Sequence, residues 1–382
     1  MIDISLREAT LFTLERHHLI DRAPKEDAIE VVDDILGLNA QGALNYNISL
    51  WNRVSGLEND FISRALNEDR SLVRSWLMRD TVHIIPSTSF HTLRRALRGS
   101  LIREWNRWTV KTGRKDDSSS WEPHYAGILE ALESGPQTMA EIVHQAGRSG
   151  EDDRATISRI VREMSLTGLV CHATTKGPWY HNAEHAFARV DRWLPEPSND
   201  ITEREAGARL AEMYLEAYGP ASVSDFAYWS GMRVREAAPI FEQISGSTEE
   251  VRIEGKRGKY LILGGDADAL SRAGEEPSWA RLLPQFDALI MGHRDKSRFL
   301  DPQMKGEIFL PRADVAATIL VDGQVYGTWS IRKKKNWEVS LSPFHRPELD
   351  MRELVENEID DLRRFTGFDI DVEWRRPSEA PR

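Results

Sequence analysis

Apolar residues follow a helical spacing through most of the chain before Gly274 and a strand-like alternation after it. Residues 4–17 read as a helix with Ile4, Leu11 and Leu14 on one side. Residues 25–38 read as a second, striped by Ala28, Val31, Val32, Ile35 and Leu36 and stopping near Gly37. A polar loop is expected at 39–45, then an apolar stretch at 48–54 and a helix at 60–67. Residues 72–85 read as an extended or hairpin stretch ending at Pro86, and residues 87–110 as a basic helix.

Two later segments, 125–183 and 208–265, share one layout. Each opens with an apolar-striped helix: Ile128, Leu129 and Leu132 in one, Leu210, Met213, Tyr214 and Ala217 in the other. Each reaches a Gly-Pro pair, Gly135-Pro136 or Gly219-Pro220, and then a short helix at 138–145 or 222–229. An Arg-bearing helix follows, 154–166 with Arg154, Arg159 and Arg162, or 233–244 with Arg233 and Arg235. A two-strand ribbon closes each copy, at 169–180 around Lys176-Gly177-Pro178 and at 251–263 around Lys256-Arg257-Gly258-Lys259. Helix, helix, helix, basic-tipped hairpin is the order of a winged helix, whose third helix and wing sit on a duplex. Residues 25–86 fit the same order in diverged form.

Residues 307–341 alternate, with turns at Asp322-Gly323 and Lys335-Asn336, so a small antiparallel sheet is expected, then a helix at 347–364 and a frayed tail at 375–382. Polar or Pro-bearing linkers lie at 111–123 and 193–200. The expected fold class is α+β and helix-rich. It comprises three tandem winged-helix modules at 1–116, 122–192 and 201–270, and a C-terminal antiparallel β subdomain at 275–382.

Composition narrows the class. A chain of 382 residues with 40% hydrophobic and 29% charged residues suits a few small globular domains. Nothing approaches the ~18 consecutive apolar residues of a membrane span. The chain opens on a helix pattern, so no signal peptide is expected. One cysteine, Cys171, forms no internal disulfide and no Cys-rich zinc site, which fits a reducing cytoplasm; the expected location is cytoplasmic and nucleoid-associated. The net charge of −11 opposes general nucleic-acid binding, but the basic residues are clustered. Arg94, Arg95, Arg98, Arg103, Arg107, Lys111, Arg114 and Lys115 face one acid, Glu104, with Trp105 and Trp108 among them. Arg332-Lys333-Lys334-Lys335 is a second cluster. Local patches decide phosphate contact; the plain alternative is a solvated face.

Four constellations carry candidate chemistry. His181-Asn182-Ala183-Glu184-His185 matches H-x-x-E-H, but a zinc site needs a helix and a third ligand, so no metal is expected. Asn39-Ala40-Gln41 places two carboxamides around one small residue; in an extended loop both address one point and can orient a water or read a base edge, whereas a plain loop would use them as caps. Arg79, Thr81 and His83 alternate along an expected strand. Asp287, His293, Arg294, Asp295 and Arg298 are dense polar residues in an apolar frame, suited to a functional loop or to a structural ion-pair knot.

These pieces together resemble one family. Leu36-Gly-Leu-Asn39-Ala-Gln41 with Ser49-Leu-Trp51-x-Arg53 is similar to the L-x-x-Q-x-Q … L-W-x-R pattern of the winged-helix DNA glycosylases of azinomycin-resistance and interstrand-crosslink type. Trp76-Leu-Met-Arg79-Asp-Thr81-Val-His83 is similar to W-L-x-R-G-T-x-H. Gly219-Pro-Ala-Ser-Val-Ser-Asp225-Phe-Ala-Tyr-Trp229-Ser-Gly231, Leu283-Pro-x-Phe286-Asp287 and Asp322-Gly-x-Val-x-Gly327-Thr-Trp329 also resemble family segments. The resemblance implies a DNA repair enzyme, without cofactor or metal, that hydrolyses the N-glycosidic bond of alkylated or crosslinked purines. It implies damaged double-stranded DNA as partner; nothing in the sequence suggests other than a monomer. The two Gln positions of Q-x-Q fall on Asn39 and Gln41, so the first is a departure. Arg79 and His83 are then candidate phosphate contacts, and Lys176, Lys256, Arg257 and Lys259 candidate wing-tip contacts. Arg94, Arg95 and Arg98 would hold the flanking duplex, with Arg294 also on the DNA and Thr81, Asp287 and His293 in support. The alternative is a non-catalytic winged-helix DNA-binding protein, a regulator or lesion sensor, that has lost the chemistry; a third class is a scaffold for protein contacts.

Overall fold

The computed structural model describes residues 2–112, 122–146, 151–181, 184–196, 201–270 and 278–375. Strand β1 (Ile2–Ile4) leads into helix α1 (Leu6–Arg16), whose Ser5 hydroxyl accepts from the Glu8 amide while Glu8 returns a bond to the Ser5 amide. Helix α2 (Ala28–Asp34) stops short of residue 38 because Leu36 and Gly37 take φ of 58° and 101°. A Cβ on Gly37 would stand 2.9 Å from the Ile84 carbonyl, so the turn accepts only glycine. The early stop frees Leu38–Asn39 as β2. Helices α3 (Ala43–Trp51) and α4 (Phe61–Asn67), strands β3 (Leu72–Trp76) and β4 (Val82–Pro86), and the long helix α5 (Phe90–Lys111) follow. The loop expected at 39–45 is thus shorter, with Asn39 in a strand and Ala43 already helical. Of Arg79, Thr81 and His83, only His83 lies in a strand.

The two similar segments take the expected order. The first has α6 (Glu122–Ala131), β5 (Gln137–Thr138), α7 (Met139–Gln145), α8 (Glu151–Thr167), β6 (Val170–Lys176), β7 (Glu184–Arg189) and the short α9 (Val190–Trp193). The second has α10 (Glu203–Tyr218), α11 (Val223–Ser230), α12 (Val234–Gln243), β8 (Thr248–Ile253), β9 (Tyr260–Leu263) and α13 (Ala267–Leu270). The ribbon expected at 169–180 is longer: its second strand comes after Tyr180, and Gly177-Pro178 sits in the connection. The C-terminal part has β10 (Ala280–Leu283), α14 (Ala288–Gly292), α15 (Lys305–Ile308), β11 (Phe309–Leu310), β12 (Asp314–Val315), β13 (Ala317–Val321), β14 (Gln324–Lys333), β15 (Trp337–Pro343), α16 (Leu349–Thr366) and β16 (Ile370–Trp374). Asp322 and Gly323 turn β13 into β14 with φ of 48° and 83°, the left-handed pair a two-residue hairpin needs. The tail expected to fray lies largely outside the described residues.

The modules interlock. The order β2-β4-β3-β6-β7-β5 makes one sheet of the first module and the first similar segment, joined where Arg74 pairs with His172. Strand β1 pairs in parallel with β8, so the first residues of the chain complete the sheet of the second similar segment. The C-terminal sheet runs β10-β13-β14-β15-β16; its last pair is parallel, which corrects the all-antiparallel expectation. Helix α16 covers it with Val355, Ile359 and Leu362, one turn apart each. One apolar cluster runs through all three modules, from Leu36 and Val73 through Ile160 to Tyr214 and Trp229. A second joins α2, α3 and β4 to the C-terminal sheet. The turn from β2 into α3 belongs to the second cluster through Leu38, Ala40 and Ala43, while Leu36 just before it belongs to the first. Among the described residues no helix is long and apolar enough to cross a membrane.

Candidate active-site crevice and nucleic-acid interface

The Asn39-Ala40-Gln41 loop is fixed by its backbone. Asn39 stands opposite His83 in the β2–β4 ladder. The Ala40 amide donates to the Val82 carbonyl at 2.8 Å, and the Ala40 carbonyl accepts from the Arg74 guanidinium at 3.0 Å. Asn39 Oδ1 accepts from the Gln41 amide at 3.2 Å, an Asx turn. Gln41 is exposed and Asn39 partly so. Asn39 and Gln41 form one loop rim, with the Asn39 oxygen already engaged by the Gln41 backbone amide.

Beside this rim is a crevice of about 20 Å³, room for about one water. Asn39, Arg79 and His83 line it together with Leu36, Gly37, Met78, Tyr218, Trp229, Phe286, Ala288 and Met291. Three polar residues converge there in an apolar frame. His83 Nδ1 lies 3.1 Å from the Thr81 carbonyl, which places the ring proton on Nδ1 and leaves Nε2 as an acceptor. Burial pulls the His83 pKa down to about 4, so at neutral pH the ring can accept a proton but carries no charge to offer a phosphate.

Arg79 sits at the apex of the Met78–Asp80 turn with φ of 55°. The Thr81 hydroxyl closes that turn onto the Met78 carbonyl at 3.0 Å, so Thr81 holds Arg79 in place. Gly231 allows the approach of α11: a Cβ there would meet Arg79 Cα at 3.1 Å, at a φ of 82°. Asp80 is taken up by Arg162, leaving Arg79 without that carboxylate. The Arg79 guanidinium lies 5.4 Å from the Tyr228 ring centroid.

The segment following Leu283 is mostly the knot. Asp287 and Arg53 form a fully buried, two-point ion pair at 2.7 and 2.9 Å. Asp287 also accepts from the Ser49 hydroxyl and the Leu289 amide, which caps α14. His293 faces the Tyr218 carbonyl at 2.8 Å, and burial drives its pKa down to about 3. Arg298 donates to Thr13 and to the Pro220 carbonyl. Asp287 and His293 therefore brace the crevice wall from behind, and of the expected supporting residues only Thr81 belongs to the Arg79 turn. The Arg294 side chain is exposed, and its amide donates to Asp225.

The other basic residues divide by burial. Arg94 is 5% exposed and donates to the Leu166 carbonyl; that placement takes it off the surface a duplex can touch and corrects its reading as a DNA contact. Trp105 is buried too, stacked on Trp108 at 5.2 Å. Arg95 and Arg98 are exposed, Arg95 on the Ile201 carbonyl and Arg98 3.7 Å from Glu203. Lys176 is exposed near Glu184. Between β8 and β9, Arg257 and Lys259 are exposed, whereas Lys256 is tied down by Asp295 and Ser297.

Glu184 and His185 lie on β7, not on a helix. Glu184 pairs with Lys176, and the His185 ring sits 2.7 Å from Arg74 Nη1. Arg74, unread in the sequence, links this ring to the Ala40 carbonyl. An arginine inside the apolar strand Leu72–Trp76 was the available signal.

Against known proteins, the family model described as "DNA glycosylase AlkZ-like" matches residues 32–365. The chain is similar to the interstrand DNA cross-link repair glycosylase of Streptomyces sahachiroi, 25% identical over 377 residues, covering 95% of this chain and 97% of that protein. It also resembles the solved structure of the Streptomyces sahachiroi DNA glycosylase AlkZ, with a TM-score of 0.81 at 21% identity, covering 98% of this chain and 100% of the other.

Proposed function

The chain belongs to the AlkZ-like DNA glycosylase family, and on that premise we propose that it hydrolyses the N-glycosidic bond of alkylated or crosslinked purines in duplex DNA, with the water oriented by the Asn39–Gln41 loop. The observation that carries this is the one-water crevice lined by Asn39, Arg79 and His83, with exposed Gln41 two residues beyond Asn39 and joined to its carboxamide through the backbone amide. An N-alkylated purine is cationic, so its departure needs little acid help. As the C1′–N bond breaks, its electron pair neutralises the purine and the sugar becomes oxocarbenium-like. Water then forms the new C1′–O bond. A carboxamide holds such a water without deprotonating it. The lost proton has an acceptor in neutral His83 Nε2 or in solvent. Asn39 reaches one methylene less than glutamine and spends its oxygen on the Gln41 amide, so Gln41 is the main water-orienting group and Asn39 the brace that sets its backbone.

The three helix–helix–helix–hairpin units are read as winged-helix modules at 1–116, 122–192 and 201–270, with the C-terminal subdomain at 275–382. Their wing tips put Lys176, Arg257 and Lys259 on damaged duplex, with Arg79 near the lesion, Arg95 and Arg98 along the flank, and Arg294 beside the β8–β9 wing. The molecule works as a monomer without cofactor or metal. The Streptomyces sahachiroi relative's name suggests interstrand crosslinks as the substrate class.

A second reading has one observation in its favour. The Asn39–Gln41 contact is also what a purely structural Asx turn makes, and a binding protein that has lost its chemistry would keep it. Incubating the protein with duplexes carrying N7-methylguanine, N3-methyladenine or a purine–purine interstrand crosslink separates the two. Released base or separated strands supports the glycosylase; tight binding with no release of any lesion supports the binding protein.

A further inference from the structure

Lys296 lies in the polar run His293-Arg294-Asp295-Lys296-Ser297-Arg298. Its Nζ lies 4.5 Å from the Tyr228 ring centroid, on the same ring that Arg79 approaches. It also packs 5.2 Å from the Phe309 ring. Two of its three ammonium protons are used locally, on the Ile290 carbonyl at 2.8 Å and on the His293 carbonyl. Among the described residues neither Lys296 nor Arg79 has a carboxylate partner. The nearby acids are occupied: Asp80 by Arg162, Asp225 by Ser222 and the Arg294 amide, Asp295 by Lys256 and Ser297. Arg79 Nε is buried and unpartnered. Two cations are thus held against one ring, largely desolvated, with only the more distant charges of Asp225 and Asp295 to offset Lys296. Such a pair fits an anion that arrives with the substrate.

We propose that Lys296, Arg79 and the Tyr228 ring between them form a phosphodiester site that seats one backbone phosphate of the DNA strand beside the crevice. This rests on the DNA-binding half of the proposed function, and it adds a binding residue that shares the Tyr228 ring with the crevice-lining Arg79. Arg79 offers a planar fork for two phosphate oxygens and Lys296 a point charge. Holding the phosphate at this place registers the sugar of the lesion against the crevice.

The site is also sensitive to pH. Lys296 is surrounded by Arg79 from its turn, Asp225 and Tyr228 from α11, His293 and Asp295 from its own segment, and Lys305 from α15. Burial first, and then the Arg79 charge, bring its pKa down to about 7. In free protein the ammonium is therefore held well below pH 7 and is lost as pH rises through about 7. A bound phosphate raises that pKa, so phosphate binding takes up a proton and weakens as pH rises.

The test measures affinity for a lesion-bearing duplex against salt at pH 6 and pH 8.5, for wild type, Lys296→Met and Lys296→Arg. One lost phosphate contact lowers the slope of log K against log salt by about 0.9. Lys296→Met is expected to show that loss at pH 6. Wild type is expected to lose slope between pH 6 and 8.5, and Lys296→Arg to lose less than wild type. A neutral methylphosphonate scanned through the positions flanking the lesion is expected to weaken wild type at one position and to have no further effect there in Lys296→Met. A Lys296→Met protein that melts earlier but keeps the wild-type slope and the wild-type methylphosphonate profile makes Lys296 only a cap for α14 and overturns the proposal. Should Lys296→Met fail to fold, Lys296→Arg decides: the same pH dependence as wild type overturns it. Because every readout is binding, a wild type that binds but releases no base would remove the glycosylase reading and leave this site standing.

Discussion

Two groups of charged residues face each other across the crevice wall, and they are built in opposite ways. Behind the wall, Arg53 and Asp287 are wholly buried, joined at two points and further saturated by Ser49 and the Leu289 amide. In front of it, Arg79 and Lys296 are cations pressed against Tyr228 without a carboxylate among the described residues. Arg53, Asp287 and Arg79 each lie in a segment that resembles a family motif, and Lys296 follows nine residues after Asp287. Motif membership therefore does not say which polar residue holds the fold and which faces substrate. Completeness of pairing together with a place at the crevice does, because an ion pair closed on itself has nothing left for a ligand, whereas a cation beside a crevice without a carboxylate keeps capacity for one.

The sharpest break of this contrast is Asp287→Ala. It strands the Arg53 charge in the interior and should cost about 3–5 kcal/mol of stability, read by urea unfolding. A change below about 1 kcal/mol would mean that the pair is not what joins α3 to the C-terminal region. Next is Arg74→Met. Arg74 holds the Ala40 carbonyl, and a shift of about 1 Å in the loop should slow base release on the order of a hundredfold while DNA affinity changes little. Lys at this position should recover part of the rate; equal losses of rate and affinity would make Arg74 a general structural residue.

The buried histidines sharpen the contrast through pH. His83 and His185 have pKa values of about 4, and His293 of about 3, against an ordinary 6.5, with burial the leading cause in each. Unfolded chain takes up protons that the folded chain refuses. Stability is therefore full above pH 6.5 and falls below it, by up to about 1.4 kcal/mol per pH unit for each of the fully buried His83 and His293 and by less for the partly exposed His185. Unfolding free energies measured between pH 7 and 5 should show the decline, and His83→Asn should lessen it; a flat profile would place charged histidines inside the protein. The smallest effect belongs to the exposed tip. Arg257→Ala or Lys259→Ala should lower the salt slope of DNA binding by about 0.9 each, with the rate of base release from bound complex unchanged.

The repeated helix order was legible because helical periodicity and Gly-Pro punctuation are local. The DNA-contact reading of Arg94 was not secure, because α5 buries Leu93, Leu97, Leu101 and Trp105 as a stripe and Arg94 stands next to that stripe in a helix basic all along. Strand β1 carries three residues and pairs with β8 some 250 positions away, and nothing local marks such a partner. Strand β16 pairs in parallel with β15 across α16, a partner its five residues do not announce by themselves. At the site, Asn39, Gln41, Arg79 and His83 were readable from motif spacing. Their meeting was not, since it depends on α2 ending at Asp34, on a glycine turn under Ile84, and on a register that sets Asn39 against His83. Lys296 and Tyr228 needed coordinates, because only folding shows that a charge lacks a partner.

The most direct measurement is the single-turnover rate of N7-methylguanine release from a duplex by wild type and by Gln41→Ala, with DNA affinity measured alongside. The proposed chemistry predicts a rate lower by about a hundredfold or more in Gln41→Ala, at unchanged affinity. Equal rates in the two proteins would contradict it and move the water away from the Asn39–Gln41 loop.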